Sequence, residues 1–283
     1  MTDRMQTVGG VRVGGLELGY SVVGTGEHVV LLHSGGMSSR QWGRLVEHLA
    51  PKYRVVSPDF LGYGGSSRWP EGEEFHFTLD ALAIEALLDS LPEPVHLVGH
   101  SYGGFIALLV ALHRPTQVCS LAAFEPVAFG VLHSRRDAAG LSSLVAAGIE
   151  SSLTDPRGGG QEPWLRAFVD YWSGEGGWER LSETARASFR VVGWKLFGEV
   201  RSLLLDRTPH QVYATLSVPT LLLCGEASPI AARRVVALLA ESIPGAHART
   251  VAGAGHMGPL THAAQVNGWI ADHIARAILV RGS

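Results

Sequence analysis

The chain has 283 residues, of which 46% are hydrophobic and 17% charged, and its net charge is −3. That composition describes a globular protein long enough to bury a full core, and its scattered Lys and Arg exclude an extended nucleic-acid-binding stripe. The longest apolar run, residues 105–112, is too short to span a bilayer, and the opening MTDRMQTVGG lacks the apolar centre of a secretory signal, so a cytoplasmic location is the expectation.

In chain order, residues 16–22 and 28–32 predict strands separated by the turn-forming Gly24-Thr25-Gly26. Residues 41–50 carry Trp42, Leu45, Val46 and Leu49 at helical spacing, and 53–57 predict a strand. Residues 78–91 predict a helix with Leu79, Leu82, Leu87, Leu88 and Leu91 facing in and Asp80, Glu85 and Asp89 facing out. A strand over 95–98, a glycine-rich corner and a helix over 104–113 follow, then strands over 118–124 and 220–224. A helix over 231–243, a strand over 247–251 and a closing helix over 263–279 complete the pattern. Short, continuous, apolar strands alternating with helices predict a mostly parallel, doubly wound α/β sheet covered on both faces. The two cysteines, Cys119 and Cys224, lie in apolar strand-like runs and read as buried reduced thiols.

The alternation stops between about residues 126 and 211. That stretch predicts helices only, including a long periodic segment over 181–203, with glycine linkers at 158–160 and 174–177. An all-helical insertion into an α/β core predicts a lid. The expected organisation is therefore a core over 1–126 and 213–283, with a helical lid over 127–212.

Residues 95–104 read VHLVGHSYGG, placing Gly99-His100-Ser101-Tyr102-Gly103 directly after a strand and directly before a helix. A G-x-S-x-G motif in that setting is a nucleophile elbow. Glycines on both sides let strand and helix backbones approach, the turn lifts the Ser101 hydroxyl out of the sheet, and the first helical N–H groups, that of Tyr102 among them, point at a developing oxyanion.

From this point the chain resembles the α/β-hydrolase superfamily over nearly all its length outside the lid. LLHSGGMSSRQW (31–42) resembles the family's His-Gly oxyanion loop, VVSPDFLGYGGSS (55–67) its P-D-x-x-G-x-G-x-S loop, GHSYGG its elbow and GAGHMGP (253–259) its histidine loop. The resemblance implies a serine nucleophile. The glycine that usually follows the family's histidine is Ser34 here, and Gly35 comes next, where the family places a donor N–H. The expected oxyanion hole is therefore the N–H groups of Gly35 and Tyr102, with Ser34 shaping the turn or lending its side chain. Asp59 is expected to bond backbone N–H groups of its own turn-rich loop.

Of thirteen histidines, His256 is the expected base. It follows the last strand in a short glycine-rich loop that can set an imidazole over the sheet edge where Ser101 stands, and the resemblance puts the base there too. His33 is expected to brace the oxyanion loop, His100 to pack against neighbouring loops, and His262 to cap or face solvent. His96 and His100 straddle a strand and a corner, so they do not read as a metal pair, and no metal or cofactor is called for.

The acid is the open question. The family's carboxylate usually follows the strand over 220–224 in a pattern like G-x-x-D, but this chain reads Gly225-Glu226-Ala227-Ser228. Glu226 comes two residues early, and Ser228 carries no charge. Glu125 ends the preceding strand, 24 residues beyond Ser101. Some branches of the superfamily, including one group of haloalkane dehalogenases, look similar there, although those enzymes carry aspartate at the Ser101 position. Glu125 is preferred and Glu226 is the alternative.

The lid holds four of seven tryptophans and ten Lys/Arg against ten Asp/Glu. Trp164, Phe168, Trp172, Trp194, Phe129 and Met257 are the candidate pocket residues. The expected activity is hydrolysis of a small to medium, largely apolar ester, thioester or lactone through an acyl-enzyme. Carbon–carbon bond hydrolysis, a lyase, and cyclisation or acyl transfer on the same site form the second reading, and a non-catalytic ligand-binding member of the fold the third. The expected partner is a small molecule. The sequence leaves the oligomeric state open.

Overall fold

A computed structural model describes residues 9–146 and 153–282. The opening segment, read above for a signal, lies outside these residues up to position 8, as do positions 147–152 of the helical insertion. Eight strands form one sheet: β1 (Gly9–Val13), β2 (Leu16–Val23), β3 (His28–Leu32), β4 (Arg54–Pro58), β5 (Val95–His100), β6 (Val118–Phe124), β7 (Thr220–Gly225) and β8 (His247–Val251). Their spatial order is β1-β2-β4-β3-β5-β6-β7-β8. β1 and β2 pair antiparallel, as do β2 and β4, and every other pairing is parallel. The expectation passed over β1, whose GGVRV has two glycines and no fully buried residue. By contrast β3, β5, β6 and β7 are buried along their whole length, as strands covered on both faces must be.

The core helices before the insertion are α1 (Gly43–Leu49), preceded by a 3₁₀ turn over Ser39–Trp42, then α2 (Thr78–Asp89) and α3 (Tyr102–His113). The insertion between β6 and β7 contains α4 (Gly130–Ser134), α5 (Ala138–Ala146), α6 (Glu162–Ser173), α7 (Gly177–Arg180), α8 (Glu183–Leu205) and α9 (His210–Tyr213). The core resumes with α10 (Ile230–Ser242), α11 (Gly258–Thr261) and α12 (Ala263–Gly282). No helix among the described residues is long and apolar enough to cross a membrane. Both cysteines are buried thiols.

One amphipathic expectation is overturned on α2. Asp80 and Glu85 are buried, whereas Leu82 is exposed. Lys195 of the insertion covers Asp80 and the end of α3 covers Glu85, so each carboxylate is matched. Asp80 accepts from Leu61 N–H and Tyr102 Oη, and Glu85 from Arg114 Nε and His113 Nδ1. Buried charges survive only when paired in this way.

Parallel strands put the chain segments that follow β3, β5, β6, β7 and β8 at one edge of the sheet. Gly35, Ser101, Glu125, Glu226 and His256 therefore emerge on the same side.

Candidate active site

Ser101 occupies the corner between β5 and α3 with φ 54° and ψ −116°, a left-handed conformation that a side chain rarely adopts. The corner is held open by packing. A Cβ on Gly99 would sit 2.3 Å from the Gly103 carbonyl oxygen, and one on Gly103 2.3 Å from that of Leu32. Its backbone is also tied to the sheet, since Ser101 N–H donates to Phe124 O at 2.9 Å. The Tyr102 N–H is the first of α3 and has no acceptor within the helix, by helix geometry.

Glu125 is the second left-handed non-glycine residue, with φ 46° at the end of β6. Its N–H donates to Leu223 O at 2.8 Å. Its carboxylate is wholly buried and accepts two hydrogen bonds, from Gly225 N–H at 2.7 Å and from His256 Nδ1 at 2.6 Å. Strained backbone of this kind costs of order 1–3 kcal/mol per residue and persists where surrounding contacts over-determine it. Here those contacts turn the carboxylate across the end of β7 toward the imidazole. Glu226 is placed differently: it is exposed and accepts from Gly253 N–H at 2.9 Å. Ser228, the position of the usual aspartate, is buried with no partner for its Oγ.

With Nδ1 committed to Glu125, His256 keeps Nε2 for proton exchange. Its ring stacks on Trp172 of α6, centroids 3.9 Å apart and planes 26° apart, so the insertion reaches the imidazole directly.

A buried chain of polar side chains joins the β3 loop to the histidine loop. Both donors of Ser34, N–H and Oγ, point to Gln41 Oε1 at 3.0 Å. Gln41 Nε2 donates to His100 Nδ1 at 3.1 Å, and His100 Nε2 donates to the His256 carbonyl at 2.9 Å. Burial, then the neighbouring His256, pushes the His100 pKa well below its ordinary value, which keeps this linker neutral. Ser34 thus spends its donors on the turn, and Gly35 is the next N–H along the loop. His33 donates from Nδ1 to Ser34 O at 2.8 Å and accepts Phe60 N–H at 3.0 Å, bracing the same loop. Asp59 accepts from Gly65 N–H inside its own loop, but also from Ser39 N–H in the β3 loop, so it ties the two together. His262 is exposed only in part and meets Thr261 Oγ1.

Above Ser101 lies a small cavity of about 40 Å³. Phe129, Phe168 and Trp172 line it, together with Gly35, Tyr102 and Glu199. Three other pocket candidates do not. Trp164 stacks on Phe168 and turns its N–H to Leu153 O. Trp194 donates to Glu73 O and borders a separate, more polar surface cleft. Met257, at the N-terminal cap of α11, is not among the lining residues. Both indole N–H groups are committed to backbone carbonyls.

Sequence reasoning missed a buried ionic cluster beside the cavity. Lys195 of α8 pairs with Asp80 Oδ2 at 2.6 Å and with Glu199 Oε1. Tyr63 Oη donates to Glu199 Oε2 at 3.0 Å, and Tyr102 Oη to Asp80 at 2.7 Å. The signal was Lys195 and Glu199 four residues apart beside the apolar stripe of α8, a spacing that also occurs on solvated helix faces.

A profile of the alpha/beta hydrolase family matches residues 29–269. The chain belongs to that family. A pimeloyl-[acyl-carrier protein] methyl ester esterase of Aeromonas salmonicida is 29% identical over 253 residues, 86% of this chain and 93% of that protein. The chain spans less than half the length of several other relatives, among them lipase LipV of Mycobacterium tuberculosis, 37% identical over 99 residues, 35% of this chain and 36% of that protein. Among solved structures, a thermophilic esterase from Thermogutta terrifontis superposes with a TM-score of 0.73 at 20% identity, covering 96% of this chain and 98% of that one. At that identity the likeness speaks for the fold.

Proposed function

We propose that this protein is a serine hydrolase that cleaves a small to medium, largely apolar carboxylic ester, thioester or lactone through an acyl-enzyme. The observation that carries the reading is the buried Glu125–His256 pair at 2.6 Å beside the left-handed Ser101 corner, beneath an apolar cavity. Esterases among the relatives support it.

In this reading Ser101 Oγ attacks the carbonyl carbon while His256 Nε2 takes its proton. Glu125 holds the imidazole in the Nδ1–H tautomer and stabilises the imidazolium that forms. The N–H groups of Gly35 and Tyr102 receive the oxyanion, and the Nε2 proton passes to the leaving oxygen or sulfur. Water then repeats the sequence on the acyl-enzyme. Residues 127–212 act as a lid whose Trp172 excludes water from the imidazole and shapes the acyl pocket.

The test is turnover of p-nitrophenyl esters. Ser101→Ala and His256→Ala are expected to abolish activity. Glu125→Gln is expected to lower kcat about a thousand- to ten-thousand-fold, by removing the group that selects the tautomer. Glu226→Gln is expected to stay within a few-fold of wild type. Activity that survives Ser101→Ala ends the nucleophile assignment, and a crippled Glu226→Gln beside a healthy Glu125→Gln reverses the assignment of the acid.

A further inference from the structure

The cavity over Ser101 is walled by aliphatic and aromatic side chains except at one point. Glu199 is the one carboxyl group lining it among the described residues. The two phenols of the lining are committed elsewhere, Tyr102 Oη to Asp80 at 2.7 Å and Tyr171 Oη to Ser143 at 3.5 Å. Glu199 is 1% exposed and tightly held. Its Oε1 receives Lys195 Nζ, and its Oε2 receives Tyr63 Oη, whose proton is directed there because Gly36 N–H already donates to the phenol oxygen at 3.2 Å. Lys195 is itself caged, 4.1 Å from the Phe75 ring centroid and 4.6 Å from that of Tyr63. A carboxylate offers about four acceptor positions, and these two partners leave the others open.

The location gives those open positions a use. A Cβ added to Gly35 would lie 2.7 Å from Glu199 Oε2, so this oxygen stands against the backbone of the oxyanion loop. A substrate whose carbonyl oxygen rests on the Gly35 N–H presents its nearest substituents to Glu199. An apolar cavity with one fixed polar group is how a site sets orientation and selectivity.

We propose that Glu199 is a substrate-binding acceptor that selects esters or lactones bearing a hydroxyl or amide N–H on the first or second carbon from the scissile carbonyl. The inference rests on the oxyanion-loop assignment above and deepens it. The apolar wall takes the remainder of the acyl chain, and the donor group replaces the hydrogen bond it loses from water with one to a buried acceptor. The same acceptor gives nothing to an unsubstituted acyl chain, so discrimination comes from the added bond.

Binding can be read apart from turnover. The quenching of tryptophan fluorescence, to which Trp172 in the cavity wall contributes, is followed in Ser101→Ala at about pH 8.5, where Glu199 is ionised, as hexanamide, 2-hydroxyhexanamide and 3-hydroxyhexanamide are titrated. At least one hydroxyamide is expected to bind about ten-fold or more tightly than hexanamide, the size of a hydrogen bond to a charged group. With Glu199→Gln added, the ratio is expected to fall toward one. Glu199→Asp, which keeps the charge for Lys195 but withdraws the oxygen by a methylene, is expected to do the same and serves if the glutamine variant fails to fold. Equal affinity for all three amides, no saturable binding of any, or a ratio that survives both Glu199 substitutions overturns the proposal. Hydrolysis of ethyl hexanoate and its hydroxy analogues by the Ser101 enzyme is measured alongside. Failure of all turnover with the binding ratio intact counts against the hydrolase reading and not against this one.

Discussion

At Glu125 a single residue joins three parts of the protein. Its left-handed backbone closes β6, one carboxylate oxygen receives the N–H of Gly225 at the end of β7, and the other receives His256 Nδ1 from the loop after β8. Gly225 belongs to the very loop that lacks an aspartate, so that loop supplies a donor in place of an acid. Ser228, meanwhile, is buried with no protein partner for its hydroxyl. This predicts a second-site rescue. Ser228→Asp in the Glu125→Gln background is expected to recover at least ten-fold in kcat with p-nitrophenyl esters, because it restores a carboxylate in the loop after β7, which bonds to the histidine loop through Ala227 N–H and Ala254 O. A double variant no faster than Glu125→Gln shows that the two positions are not interchangeable in this chain. The motifs made Ser101, His256 and the pair of candidate glutamates legible. The sequence also favoured Glu125 over Glu226, and the contact that His256 makes with Glu125 depends on where two strand ends lie in space.

At the scale of the elements, seven of the eight strands and the longer core helices followed from periodicity and glycine punctuation, with ends displaced by at most three residues. One overturned expectation concerns charge: Asp80 and Glu85, expected to face out on α2, are buried, and Lys195 and Glu199 of α8, on which the sequence made no statement, form a buried pair. Periodicity reports one buried face and is silent about another helix lying on the polar one. Local chemistry stays readable where it is local. α4 ends on Arg136 at φ 51°, with Arg136 N–H donating to His133 O and Asp137 N–H to Leu132 O, the double bond pattern of a left-handed helix cap. Arg136 is exposed, so its side chain contributes little to packing. Arg136→Gly is therefore expected to stabilise the protein by about 0.5–1 kcal/mol through relief of the left-handed strain, measured by urea unfolding. A loss of stability there means that the arginine has a role in the fold that its exposure conceals.

At the scale of the whole molecule, the insertion and the core meet through buried charge as well as apolar surface. Burial pushes the Glu199 carboxyl up to about 7, against the attraction of Lys195 and with the repulsion of Asp80. Tyr63 and Tyr102 face the same cluster from the core, and the buried His33, its pKa lowered chiefly by burial, lies near Lys195 and Asp80. Between the ordinary carboxyl value of 4.5 and about 7 the folded chain holds a proton that the unfolded chain has released. The Glu199 contribution is thus complete below pH 4.5 and is lost as pH rises through about 7. Buried histidines of lowered pKa, such as His273 at about 4, act in the opposite direction over part of that window, so the comparison must be with a variant. The unfolding free energy of wild type minus that of Glu199→Gln is expected to fall by up to about 3 kcal/mol between pH 4.5 and 7.5. A difference that is flat with pH shows that Glu199 stays ionised throughout.

The sequence by itself determined the fold class, the family, the elbow at Ser101 and the histidine at 256, because each is written in a short contiguous stretch whose turns and spacings are local physics. Only the tertiary structure decided which glutamate meets the histidine, which tryptophans reach the cavity and which charges are buried. Those outcomes depend on strand order and on the helical insertion folding back over the sheet edge, which bring together residues far apart in the chain, Glu125 and His256 being separated by 131 positions and His100 and His256 by 156. The stretch Gly225-Glu226-Ala227-Ser228 has no aspartate where one is expected, and Glu125, preferred from the sequence and one strand away, takes Gly225 N–H and His256 Nδ1 in the folded chain.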